Sequence, residues 1–171
     1  MQYSLCYTTK KEKNMNDIYL KLNIYLHNHH TYKKIISFLE KYLTALFIFI
    51  YPCMIIYLIK IKSPLLLITL IKPLSGLITV KCMRKVFNRP RPFEILPLTP
   101  AVFHNPGESF PSNHTFSGAI ISLMCLPLSL PLSIILFLMT ILIGITRILC
   151  GLHYISDIIA AFIIAFIIYL I

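Results

Sequence analysis

Five apolar stretches, at about 42–59, 64–83, 113–131, 132–149 and 153–171, dominate the chain from residue 42 onward. Each approaches the roughly 20 residues that an α-helix needs to cross a bilayer. Short polar or proline-bearing breaks separate them: Lys60, Lys62 and Ser63-Pro64 between the first two, Pro127 and Pro131 around the third-to-fourth turn, and Cys150-Gly151 before the fifth. The expected fold is all-α, a multi-span transmembrane helical bundle of about five spans.

Composition agrees with that reading. The chain has 171 residues, enough for one domain, and is 57% hydrophobic, which points away from a soluble core. Its formal net charge of +10 does not imply nucleic acid, because the lysines cluster in the first third and the remainder is lipid-like. A basic tail next to apolar spans reads as a membrane-surface anchor. Cys6, Cys53, Cys82, Cys125 and Cys150 are scattered singly, with no Cys/His spacing suited to a structural metal.

The first 34 residues read as a basic N-terminal tail, and 35–171 as the membrane-embedded domain. Lys10, Lys11 and Lys13 are followed by no apolar h-region, so no signal peptide is expected; Met15 is an alternative start. Residues 16–34 alternate apolar and polar side chains, as an interfacial amphipathic helix does. His27, His29 and His30 within it read as a polar surface stretch and not as a metal patch.

Span counting then brings distant residues together. The second span delivers Arg84, Arg89 and Arg91 to one face. The segment 93–112 cannot span, since it carries Glu94, Pro97, Pro100, Pro106, Gly107, Glu108 and Pro111. His114 therefore opens the third span at that same face, the fourth span returns Arg147 to it, and His153 opens the fifth there.

These residues are chemically suited to phosphate. The chain has four arginines only, and after Glu108 its only charged residues are Arg147 and Asp157. Ionisable groups at membrane depth are costly and usually functional, and an arginine fork matches phosphate geometry. Ser112 is placed as the N-cap of a helix whose free N–H groups would face an anion. His153 and Asp157 stand at i and i+4, so the carboxylate is expected to accept the Nδ1 proton and leave Nε2 free. Glu94 and Glu108 read as solvated loop charges.

Three clusters resemble the signature of the type 2 phosphatidic acid phosphatase superfamily, K-x6-R-P, P-S-G-H and S-R-x5-H-x3-D. Here they read Arg84-x6-Arg91-Pro92, Pro111-Ser112-Asn113-His114 and Thr146-Arg147-x5-His153-x3-Asp157. Arg84 stands in place of lysine, Asn113 in place of glycine and Thr146 in place of serine. The family commonly has six spans; here the first is missing or reduced to the amphipathic segment.

The resemblance implies a membrane phosphatase acting on a lipid phosphate or polyprenyl diphosphate, with undecaprenyl diphosphate favoured. It implies His153 as nucleophile through a phosphohistidine, Asp157 as its orienting carboxylate and His114 as acid and then base. Arg84, Arg91, Ser112, Asn113 and Arg147 would bind the phosphate, with no metal or cofactor. Arg89 lies outside the matched set and would serve only headgroup binding. The implied partners are a lipid-phosphate substrate and the bilayer, not nucleic acid. The implied location is the plasma membrane, with the site extracytoplasmic, although five spans then leave the lysine-rich N-terminus outside, against the positive-inside rule. A lipid phosphotransferase using the same intermediate, or a non-catalytic lipid-binding protein, is the alternative.

Overall fold

The computed structural model describes residues 17, 19–22, 24–25, 28–98 and 104–171. Residues 1–16, and with them Met15, lie outside that set, as do His27 and part of the expected amphipathic helix. The described residues form helices and no strands. In chain order these are α1 (His30–Lys60), α2 (Leu65–Phe87), the single turn α3 (Pro92–Ile95), α4 (Asn113–Cys125), α5 (Leu130–Leu149) and α6 (Ile155–Leu170).

All five apolar stretches are helical, but their lengths differ from expectation. Thr31–Lys60, Leu65–Ile95 and Leu130–Leu149 are long and apolar enough to cross a membrane, whereas Ile155–Leu170 is a shorter apolar helix. The stretch expected at 113–131 is helical for 13 residues only, ending at Cys125. At 1.5 Å per residue that is about 20 Å, less than a bilayer core. Pro127 explains the stop: it has no N–H to continue the ladder, and a turn over 126–128 leads into α5.

The short α4 is the centre of the bundle. It packs against α1, α2, α5 and α6, and nine of its residues, from Thr115 to Cys125, are buried. Close approach depends on small side chains. A Cβ on Gly118 would sit 2.7 Å from Thr140 Oγ1 of α5, and one on Gly144 would sit 2.8 Å from Ile158 Cγ2 of α6. Glycine at helix crossings permits such contacts. By contrast the outer faces expose Ile48, Phe49, Leu67, Leu74, Leu138 and Phe166, an apolar girdle suited to lipid tails.

Polar groups on the long helices are satisfied locally. Thr69 Oγ1 donates to Leu65 O, Tyr51 Oη donates to Thr69 O at 2.9 Å, and Lys72 Nζ caps the last turn of α6 through Tyr169 O at 2.5 Å. The segment before α1 is also engaged. Tyr19 is buried against Leu98 and Tyr154, and its hydroxyl accepts the Ile155 N–H at 2.9 Å. His29 donates its Nδ1 proton to Tyr25 O at 2.8 Å and is exposed.

Candidate active site

The end of α2 fixes the first pair of arginines. Asn88 closes the helix with a left-handed φ of 35° and bonds its N–H to Arg84 O; Asn tolerates this conformation better than most residues. Its Oδ1 then accepts the Glu108 N–H at 3.3 Å. Gly107 has a φ of +73°, and a Cβ there would meet that same Asn88 oxygen at 2.7 Å. Glu94 draws the loop together from the other side, its Oε1 accepting Arg91 N–H at 2.8 Å and Gly107 N–H at 2.6 Å. Glu94 is exposed, as a solvated loop charge should be, and also staples the loop through these two bonds. Glu108 lies 3.6 Å from Arg84 Nε.

Arg91 is 4% exposed. Its Nε donates to Gly107 O at 3.0 Å and its Nη1 to Leu152 O at 3.2 Å, tying the α2–α3 loop to the α5–α6 turn. Arg84 Nη1 donates to Pro111 O at 3.3 Å. These bonds join the three sequence clusters at one end of the bundle.

Between them is a cavity of about 400 Å³, walled by Arg84, Arg91, Asn113, His114 and His153 together with Lys81, Lys85, His104 and Glu108. Five of the eight expected site residues are on this wall. Lys81, about one turn before Arg84, and Lys85, the residue next to it, add the ammonium groups that the arginine-for-lysine exchange leaves out. The other three, Ser112, Arg147 and Asp157, are fully or almost fully buried and do not line the cavity.

Each of those three departs from its expected contacts. Ser112 occupies the N-cap of α4 but makes no side-chain bond to the helix backbone; its Oγ pairs with Thr115 Oγ1 at 3.0 Å instead. Arg147 is turned toward α1, with Nη1 at 2.8 Å from Glu40 Oε1 and 3.2 Å from His104 Nε2, and Nη2 at 3.4 Å from Thr44 Oγ1. Asp157 lies 3.5 Å from His153 Nδ1, while the nearer acceptor for that proton is Ser109 O at 2.8 Å. The carbonyl, not the carboxylate, makes the closer contact.

The consequence for His153 is direct. A carbonyl only accepts, so Nδ1 carries the proton and the Nε2 lone pair is free. Burial pushes the imidazole down to about 4; Asp157 pulls the other way, and Arg91 and Arg147 add to the downward push. The ring is neutral near pH 7.

Asp157 is itself held at four points. Ser109 Oγ donates to Oδ2 at 2.5 Å, Tyr154 N–H to Oδ2 at 2.9 Å, and Arg89 Nη1 to Oδ1 at 2.7 Å, with His153 beyond. The Arg89 guanidinium also stacks on the Tyr154 ring at 4.1 Å. Arg89 thus belongs to the support of the site, a position that the matched motif did not indicate. Glu40, His104 and Ser109 were likewise missed. Ser109 lies just before a matched cluster and His104 in the loop between two of them, but Glu40 is on α1, with no local signal connecting it to Arg147. Among the described residues, no group of three or more His, Cys, Asp or Glu is arranged to hold a metal ion.

With this geometry in view, the comparison with known families is decisive. A family model described as PAP2 superfamily matches residues 64–171. The chain belongs to the PAP2 superfamily. The PAP2 region covers every expected site residue and stops short of Glu40. Two crystal structures share the fold. Aquifex aeolicus LpxE aligns with a TM-score of 0.72 at 22% identity, over 90% of this chain and 91% of that one. A transmembrane PAP2 type phosphatidylglycerolphosphate phosphatase from Bacillus subtilis aligns with a TM-score of 0.71 at 20% identity, over 96% of this chain and 85% of that one. The PAP2 match and the apolar helices together make this an all-helical membrane protein of a phosphatase superfamily.

Proposed function

We propose that this PAP2 protein is a lipid-phosphate phosphatase of the plasma membrane, with its site on the extracytoplasmic face and a polyprenyl diphosphate, undecaprenyl diphosphate foremost, as substrate. The observation that carries the reading is the free Nε2 of a neutral, buried His153 on the wall of a cavity lined by Arg84, Arg91, Lys81 and Lys85. A neutral imidazole beside several cations attracts a phosphate without itself being charged.

In the first step His153 Nε2 attacks phosphorus. The N–P bond forms as the bond from the terminal phosphorus to the bridging oxygen breaks, and His114, protonated as the anionic phosphate enters beside it, gives that oxygen its proton so that the lipid monophosphate leaves. The Nδ1–H remains on Ser109 O with Asp157 behind it, which stabilises the imidazolium character that develops. In the second step His114, now neutral, takes a proton from water. The water oxygen attacks phosphorus, the N–P bond breaks, and inorganic phosphate leaves. Arg84 and Arg91, with the Asn113 backbone, neutralise the equatorial oxygens, and Arg147 joins them from behind the wall. Ser112 supports the helix start.

The lipid class follows from position. The cavity opens at one end of a bundle with an apolar outer face, so a headgroup can enter while its chain stays in the bilayer. A second, apolar cavity of about 440 Å³ shares His114 with the first and is lined by Phe47, Ile48, Gly118, Ile121 and Ile143. The test is phosphate release by purified protein from a panel of lipid phosphates, including undecaprenyl diphosphate, phosphatidylglycerophosphate and phosphatidate, with EDTA present. Release from the polyprenyl diphosphate in EDTA, blocked by vanadate, is expected. Release that requires added magnesium would contradict the arginine cradle, and preference for another lipid would reassign the substrate.

A further inference from the structure

Arg147 carries a buried counter-ion that its own motif does not supply. Glu40, 9% exposed on α1, stands 2.8 Å from Arg147 Nη1. Thr44, one turn further along the same helix, meets Nη2 at 3.4 Å. Arg147 Nε is buried and finds no partner among the described residues. The guanidinium is therefore held off the cavity wall by one edge, while a further N–H is left without an acceptor. A buried N–H is rarely orphaned unless a ligand completes it.

We propose that Glu40 is an internal competitor for the phosphoryl group: it holds Arg147 back while the site is empty and reclaims it when phosphate must leave. This rests on the phosphatase reading given above. The physical argument is one of charge. With Arg84, Arg91, Lys81 and Lys85 already on the wall, a fifth free cation would bind the product phosphate tightly and slow its release. A carboxylate in contact with the fifth cation opposes this. Removing one unit charge at such a separation in a partly buried site changes an anion's binding constant on the order of tenfold or more. Glu40 lies outside residues 64–171, the part that carries the superfamily signature, so this control comes from α1, a helix outside the motifs. It is a positioning residue and touches no reacting atom.

The opposite role would be a plain anchor that aims Arg147 at phosphate. The two roles differ in sign. Glu40→Gln keeps the side-chain shape and an acceptor for Nη1 but removes the charge. As a competitor, its loss tightens inhibition of the purified full-length protein by inorganic phosphate and by orthovanadate, about tenfold in each inhibition constant, and lowers kcat more than KM because release slows. As an anchor, its loss weakens both inhibitors. Inhibition constants that rise, or stay within about twofold of the parent, overturn the proposal. Should Glu40→Gln not fold, Glu40→Asp carries the same test, since the shorter carboxylate retreats from Nη1; tighter phosphate inhibition supports the proposal and unchanged or weaker inhibition defeats it. A parent protein that releases no phosphate from any lipid phosphate removes the phosphatase reading and this proposal together. An active parent with an indifferent Glu40 removes the proposal alone.

Discussion

Ser109 grips His153 and its carboxylate at once: the Ser109 carbonyl takes the His153 Nδ1 proton at 2.8 Å, and the Ser109 hydroxyl donates to Asp157 Oδ2 at 2.5 Å. One fully buried residue thus sets the tautomer of the ring and the position of the charge behind it. Ser109→Ala keeps the carbonyl and loses only the hydroxyl. The expected result is a fall in kcat of about ten- to a hundredfold with KM little changed, since a lost hydrogen bond to a charged group costs about 1.5–3 kcal/mol. Steady-state kinetics decide it; a rise in KM at constant kcat would place Ser109 in substrate binding instead.

Substitution of the two histidines should separate the two half-reactions. His153→Ala is expected to drop turnover to background and to leave no phosphoenzyme, because the Nε2 of His104, also on the cavity wall, is taken up by Arg147 and His114 serves the acid and base steps. His114→Ala should slow leaving-group departure while permitting His153 to be labelled by a substrate with a good leaving group, and the label should persist because water is no longer activated. Quenched-flow labelling with a radioactive aryl phosphate measures both. Full activity in His153→Ala would falsify the covalent route.

The ring of His153 should titrate far from the ordinary value. Its pKa in the folded protein is pushed down to about 4 by burial, against about 6.5 in an unfolded chain. The unfolded state therefore binds the proton first, so stability is full above that higher value and declines as the pH falls through the window between the two. In nitrogen-15 spectra of the protein in micelles, the neutral Nδ1–H form of His153 should survive well below pH 6. A ring that protonates near 6.5 would show that the site is wetter than its burial implies.

Motif spacing and span parity made the convergence of Arg84, Arg91, His114 and His153 readable, because each is fixed by the element on which it lies. The contacts of those residues were much less readable. Asp157 is one turn from His153 in sequence, which suggests a direct bond, yet its oxygens are taken up by Arg89, Ser109 and the Tyr154 N–H. The partners come from elsewhere in the chain, and no periodicity connects them. Arg147 illustrates the same limit: its place on α5 could be counted, but the direction of its side chain is set by Glu40, more than 100 residues earlier. The α4 helix fell short of its expected length because Pro127 limits it and burial on all sides removes any need to match the bilayer.

The crossing of α4 and α5 should not accept a methyl group. Gly118→Ala would put a Cβ 2.7 Å from Thr140 Oγ1 and 3.0 Å from Thr140 Cγ2, and the β-branched threonine has little rotamer freedom to retreat. A loss of about 1–3 kcal/mol is expected, partly offset by the better helix propensity of alanine. Thermal melts in detergent should show a lower Tm, recovered in part by adding Thr140→Ala. An unchanged Tm would mean that the helices can part without cost.

Sidedness can be read through the exposed rim of the site. Ser109 is fully buried and unsuitable for labelling, whereas Asn105 is exposed in the loop that carries Gly107 and Glu108. With Cys6, Cys53 and Cys82 changed to serine, the remaining Cys125 and Cys150 are buried and should be silent toward an impermeant maleimide. Asn105→Cys in that background is expected to react in intact cells, because an outward-facing cavity is what recycling of an outward-facing carrier lipid requires. The lysines make this a demanding test. Lys33, Lys34 and Lys41 lie on the half of α1 that includes Glu40, the partner of Arg147, while Lys60 closes the other end. The extracytoplasmic assignment therefore places the first group outside, against the usual bias of basic residues. Reaction only after the membrane is opened would turn the molecule over, satisfy that bias, and direct the search toward a lipid phosphate of the cytoplasmic leaflet.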